Sequence, residues 1–183
     1  MFRKAFVMVV VVVAFAGISL AGGVDKDNLE EYGKGIIKDY SDMKETDEIE
    51  WVWLRPGTRL ADYRFELESF ENMSAIGDGD MEEVFEESLP KTLKRSSSKD
   101  ESAPLLKVDA AVYWAERANR SKWWIPYAGA HLAQAGVGIE VVFTDDKGEI
   151  VCKIRHSGRE GDDLENAAEE LIDDLAQLIR RSE

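Results

Sequence analysis

Between Asn119 and His131 the chain sets three large aromatics, Trp123, Trp124 and Tyr127, beside the cations Arg120 and Lys122 and the small residues Ala128, Gly129 and Ala130. Rings of this kind stack on sugars or anchor protein partners, because they bury a large area at little conformational cost and carry a polar tip. The small residues allow another backbone to approach. If the stretch is extended, Trp123 and Trp124 point to opposite faces, so at least one is open to a ligand. In the opposing arrangement the loop wraps over one end of a sheet and Trp123 or Trp124 joins the core, where large aromatics commonly reside. Trp123, Trp124 and Tyr127 are therefore the candidate binding residues, and both placements of the loop stay open.

Other constellations point away from catalysis. Metal binding needs converging His, Cys or carboxylate ligands, and His131 and His156, the two histidines, have no ligand partner at short spacing. The single Cys152 lies in an apolar, strand-like run with no adjacent histidine or helix start, which predicts an inert buried thiol rather than a nucleophile. Gly136-x-Gly138 lacks the third glycine of a dinucleotide fingerprint and sits in a strand, where it suits a bulge or a close approach of neighbouring atoms. Paired acids such as Glu82-Glu83, Glu86-Glu87 and Asp173-Asp174 recur at helical spacing and read as solvated faces. The expectation is a protein without catalytic residues, metal ligands or cofactor.

Charge and address narrow the partners. Arg3-Lys4, an apolar run from Ala5 to Leu20, and Ser19 and Ala21 before a potential cut describe a cleavable signal peptide over residues 1–21. The run is slightly short for a span of about 20 apolar residues, so an uncleaved inner-membrane anchor is the lesser alternative. Leu20-Ala21-Gly22 leads to Gly23 where a lipobox has its acylated cysteine, which predicts no stable lipid anchor. The net charge is −14, and becomes −16 once Arg3 and Lys4 leave with the signal. Such a surface repels phosphate backbones, so nucleic acid is not expected as a partner. One cysteine cannot form an internal disulfide, leaving the exported domain to its hydrophobic core.

The elements that would position the aromatic stretch follow from periodicity. Residues 22–48 are polar and weakly periodic and read as a solvated N-terminal arm, followed by a single α/β domain over 49–183. Ile49–Leu54 forms a short leading strand with Trp51 and Trp53 on one side, before the Pro56-Gly57 turn. Alternation predicts strands over Asp62–Phe70, Leu105–Ala115 and Gly136–Thr144, the second with Trp114 on its core face. Asp145-Asp146-Lys147-Gly148 then turns the chain into a hairpin strand, Glu149–His156. Helical spacing covers Asp80 to about Arg95, with a kink or break expected near Leu89 because Pro90 follows. It returns from about Asp163 to Arg180, with Asp162 and Glu165 as a capping-box-like start. The fold class expected is α+β: a mostly antiparallel sheet of four to five strands, in β-α-β-β-β-α order after the leading strand, with two helices packed on it.

Asp39-Tyr40-Ser41-Asp42-Met43, Trp53-Leu54-Arg55-Pro56-Gly57 and Leu60-Ala61-Asp62-Tyr63 resemble the opening of a family of small exported bacterial proteins, many of them lipoproteins, known only as a domain of unknown function. The hairpin Ile139–Val151 is similar to that family's penultimate hairpin. The resemblance implies an α/β sandwich and residence in the cell envelope, with no activity to carry over; Gly23 departs from the lipoprotein pattern. The function expected is that of an exported, non-catalytic envelope protein, periplasmic or extracellular, acting through an envelope protein partner in assembly or maintenance of a complex. The alternative is a periplasmic module that binds a glycan or small apolar molecule through Trp123, Trp124 and Tyr127.

Overall fold

The computed structural model describes residues 23–24, 26–46, 49–126 and 133–181. Five strands form one sheet: β1 (Trp51–Leu54), β2 (Arg64–Asn72), β3 (Leu105–Glu116), β4 (Gly136–Thr144) and β5 (Ile150–Arg159), in the spatial order β1-β5-β4-β3-β2. β3, β4 and β5 make an antiparallel meander and β1 adds antiparallel to β5, while β2 lies parallel to β3. The parallel pair needs a crossover, and α2 (Gly79–Ser96) supplies it. The α+β class and its strand and helix order agree with the sequence pattern. A short helix, α1 (Lys26–Tyr32), precedes the sheet, and α3 (Leu164–Arg181) closes the chain.

α2 and α3 pack on one face of the sheet. Met81, Phe85, Leu89 and Leu93 of α2 and Ala168, Leu171, Leu175 and Ile179 of α3 meet Leu106, Val108, Val112, Val137, Ile139, Val141 and Phe143 in one core. Cys152 is fully buried there, and burial pushes its thiol pKa up. α2 continues through Pro90 as one element. The ring costs the helix one amide donor, but Leu89 and Leu93 on either side of it are anchored in the core, and tertiary packing overrides the local penalty. Asp78 caps α2 by accepting from the Met81 amide at 3.2 Å. At α3 the cap is Asp163, which accepts from the Asn166 amide at 3.0 Å, one residue beyond the expected start.

The N-terminal segment departs most from expectation. It is not a solvated arm: Val24, Ile37, Tyr40 and Met43 are buried with Val142 of β4 in a second apolar cluster on the other face of the sheet, joined by Trp51 and Trp53. Its apolar residues are too irregularly spaced to show a period, and beyond α1 its backbone pairs with the sheet, among the described residues, only at one bridge, Lys44 to Val52. What fixes its path is polar. Glu140 and Arg155, opposite each other on β4 and β5, are both 0% exposed and pair at 2.5 Å. Glu140 also accepts from the Ile37 amide and the Tyr40 hydroxyl, each at 2.8 Å. Arg155 donates to Asn28 Oδ1 through Nε and Nη2 and to the Gly33 carbonyl at 2.9 Å. Nearby, Lys153 donates to the Asp39 carbonyl at 2.7 Å and pairs with Asp42.

Trp114 is also displaced from its expected face. A bulge at Tyr113 shifts the register between Val112 and Trp114, so that Val112 opposes Ile139, Trp114 opposes Gly138 and Ala115 opposes Val137. Ala115 thereby takes the core face, and Trp114 turns outward to meet Tyr32 of α1 edge-on at 4.9 Å. Tyr113 and Trp114 now both lie over glycines: a Cβ at Gly138 would come within 2.5 Å of the Tyr113 ring, and one at Gly136 within 2.5 Å of Trp114. The guanidinium of Arg155 stacks on Tyr113 at 3.6 Å and that of Arg159 on Trp114 at 4.7 Å.

Removing either member of the buried pair leaves an unpaired charge in a site closed to water. Glu140→Ala or Arg155→Ala is expected to lower the unfolding free energy in urea titrations by about 3–5 kcal/mol. Glu140→Leu combined with Arg155→Met removes both charges but orphans the Ile37 amide, the Tyr40 hydroxyl and the Gly33 carbonyl, so it is expected to restore only part of that loss.

Burial also pushes the phenol pKa values of Tyr40 and Tyr113 up from 10.0; the Glu140 carboxylate reinforces the rise at Tyr40, and Arg155 opposes it at both. A group with a raised folded pKa contributes its full stability below the unfolded value and loses it as pH rises toward the folded one. Urea midpoints are therefore expected to be insensitive to these two phenols up to about pH 10 and to fall above it. Tyr40→Phe should flatten that fall.

Candidate functional site

Trp123 and Trp124 sit on a short 3-10 helix, Arg120–Trp124, between β3 and β4. The 3-10 geometry turns successive side chains by about 120°, so the two rings do not take opposite faces as they would in an extended chain. Both are open to solvent, Trp123 at 64% and Trp124 at 80% exposure, and neither enters the core. Tyr127, the third candidate, and His131 lie outside the described residues.

Several contacts hold this corner. Ala118 packs on the core just before it, and the Asn119 amide donates to the Ala133 carbonyl at 2.9 Å, closing the base of the loop. Asn119 Oδ1 accepts from the Ser121 amide at 3.1 Å and hydroxyl at 2.6 Å, which starts the helical turn. Arg120 pairs with Asp162 at 2.5 Å and Arg117 with Asp78 at 2.8 Å, tying the loop to the starts of both long helices. Beside Trp123 lies a hollow of about 500 Å³ walled by Arg120, Trp123, Ala133, Gln134 and Asp162. An aromatic wall flanked by a cation and a carboxylate can receive an apolar side chain or the face of a sugar, with polar groups at the rim to orient it.

The remaining candidates serve structure. His156 Nε2 lies 3.0 Å from Asp174 Oδ2, bridging β5 to α3, and its Nδ1 accepts from the Glu50 amide at 3.4 Å. Trp51 and Trp53 lie on β1, the edge strand, half-buried against the N-terminal segment. The free side of β1 is partly covered, since Lys44 and Val52 exchange two backbone hydrogen bonds of 2.8 Å. Among the described residues no group of three or more His, Cys, Asp or Glu is placed to hold a metal ion, and no helix is long and apolar enough to cross a membrane.

The polar network around Glu140 and Arg155 was missed from sequence. Its one legible sign is Glu140, an acid inside an apolar strand whose neighbours on the same face are Gly138 and Val142.

No protein-family model and no curated protein matches the sequence. Among solved structures, the PelC dodecamer from Paraburkholderia phytofirmans is similar at 15% identity and a TM-score of 0.43, over 72% of this chain and 95% of that one. A substituted PelC dodecamer from the same organism, in another crystal form, gives 15% identity and 0.41 over 71% and 97%. Neither likeness assigns an activity to this chain.

Because Trp51, Trp53 and Trp114 are half-buried and Trp123 and Trp124 are open, the two classes should separate in fluorescence. Trp123→Phe/Trp124→Phe is expected to move the emission maximum to shorter wavelength and to remove most of the iodide-quenchable signal. The midpoint of unfolding should stay within about 0.5 kcal/mol of the parent, as for surface changes generally.

Proposed function

We propose that this chain is an exported, non-catalytic protein of the bacterial envelope that acts through protein contacts, with the Trp123–Trp124 corner as its docking surface. The observation that carries the reading is the exposure of two adjacent tryptophans on a short 3-10 helix whose loop is closed at its base by the Asn119–Ala133 backbone hydrogen bond. Aromatic anchors of this kind dominate the energetics of protein interfaces once a partner desolvates them. Among the described residues Cys152 is buried in the core, and His156 has both ring nitrogens engaged, Nε2 with Asp174 and Nδ1 with the Glu50 amide, which supports a role without catalysis. Export rests on the signal-like N-terminus, and the glycine at position 23 supports a mature form without an acyl chain.

A glycan reading competes at the same corner, favoured by the hollow beside Trp123 with Arg120 and Asp162 at its rim. The two separate in one experiment. A photo-crosslinking residue at position 123, compared with one at exposed Glu66 on the far edge strand, is expected to yield a discrete protein adduct in the envelope fraction from position 123 alone. Loss of that adduct, together with a glycan-induced shift of tryptophan emission that Trp123→Ala abolishes, would replace the protein reading by the glycan one.

A further inference from the structure

Gly23 is the first described residue, and it stands where a lipobox carries its cysteine. Its seat has no room for a side chain. A Cβ there would come within 2.5 Å of the Tyr40 carbonyl oxygen and 2.6 Å of Ser41 Cα. Both are backbone atoms, so no change of rotamer relieves the overlap. The next residue is already fixed: Val24 is 7% exposed, and its amide donates to the same Tyr40 carbonyl at 3.2 Å.

Any side chain at position 23 therefore forces one of two movements. If residue 23 gives way, Val24 is lifted off the cluster it forms with Ile37, Tyr40, Met43 and Val142. If Tyr40 and Ser41 give way instead, the Tyr40 hydroxyl is drawn from Glu140, to which it donates at 2.8 Å, and the Asp39 carbonyl from Lys153, which donates to it at 2.7 Å. The second path strips a hydrogen bond from a carboxylate that pairs with Arg155 out of reach of water. Tyr40 thus joins position 23 to the buried ion pair, its carbonyl at one and its hydroxyl at the other. Spacing adds to this. With the cut after Ala21, only Gly22 precedes the seat, a reach of at most about 3.6 Å. The exported chain enters its fold almost at its first residue, which leaves no length for a tether.

We infer that the fold, and not the missing thiol alone, holds this chain to unlipidated maturation: the seat against Tyr40 and Ser41 admits glycine alone, so a docked N-terminal segment and a lipid-bearing cysteine at position 23 exclude each other. This rests on the reading of residues 1–21 as a cleavable signal, and it makes retention in the envelope the task of protein contacts. Lipidation would replace the thiol proton of a cysteine by a diacylglyceryl group from a phospholipid, whose headgroup phosphate leaves with the proton. The sulfur of that thioether hangs from the Cβ that the seat rejects.

The test uses the exported protein and follows tryptic cleavage at Lys34 and Lys38, exposed residues of the docked segment. Gly23→Ala is expected to speed that cleavage at least tenfold while Cys152 stays shielded from a thiol reagent in the core under α2 and α3. Gly77→Ala, whose added Cβ meets nothing within 4 Å, should change it less than twofold. Gly23→Cys should take up labelled fatty acid and be cut as fast as Gly23→Ala. Insertion of a cysteine followed by a short Gly/Ser spacer between Gly22 and Gly23 should give a labelled chain cut within twofold of the parent, because the lipid then has a tether and the seat keeps its glycine. Parent-like cleavage of Gly23→Ala or of labelled Gly23→Cys would overturn the inference, as would a Gly23→Cys chain that takes no label. N-terminal sequencing separates this from the reading beneath it: a mature parent that begins at Gly22 keeps the signal reading whatever becomes of the seat, and an envelope form that retains residues 1–21 removes both.

Discussion

Arg155 and Glu140 face each other across two central strands with no access to water, and an ion pair in that position is tolerable only when its remaining donors and acceptors are met. The sheet cannot meet them by itself. Asn28, Gly33, Ile37 and Tyr40 do so, and all four come from the N-terminal segment. That segment has almost no regular structure beyond α1, so its path over the sheet is set by where these groups must be. Lys153, reaching the Asp39 carbonyl and Asp42, ties down the last part of it. The apolar cluster of Val24, Ile37, Tyr40, Met43 and Val142 packs around these polar contacts.

The two faces of the sheet consequently rest on different physics. Under α2 and α3 the core is apolar, and volume and shape decide what fits. Under the N-terminal segment, charge and hydrogen-bond satisfaction decide, with a thin apolar layer around them. At one end of the sheet, the Arg120–Asp162 and Arg117–Asp78 pairs join the β3–β4 connection to the starts of the two long helices. The exposed indoles are therefore carried by the same elements that build the apolar core, and they stand away from the polar face.

How legible each part was in the sequence follows from which force shaped it. α3 and the β4–β5 hairpin were read correctly because one periodic apolar face and one turn signal determine them. Where a kink or break near Leu89 is expected, no break interrupts α2, since Leu89 and Leu93 are anchored by residues distant in sequence. Trp114 was assigned to the core because a strict alternation of two holds only until a bulge intervenes, and nothing local marks the extra residue at Tyr113. The N-terminal segment was unreadable for a related reason: Asp39, Asp42 and Asn28 count as solvent-loving in any composition, and only the strand partners Lys153 and Arg155 reveal them as ligands. At the candidate site the sequence singled out Trp123 and Trp124 but left their burial open, since exposure depends on the backbone between them being helical.

The glycines beneath Tyr113 and Trp114 carry an implication for how this fold can change over generations. Tyr113 fits because Gly138 has no side chain, Arg155 stacks on the ring that results, and Glu140 balances the guanidinium. A change of ring at 113, of size at 138 or of charge at 140 or 155 leaves the other three without their partner. Relatives that diverge here must have exchanged the set through compensating steps, so positions 113, 138, 140 and 155 should drift together as one inherited block while the surrounding surface varies freely.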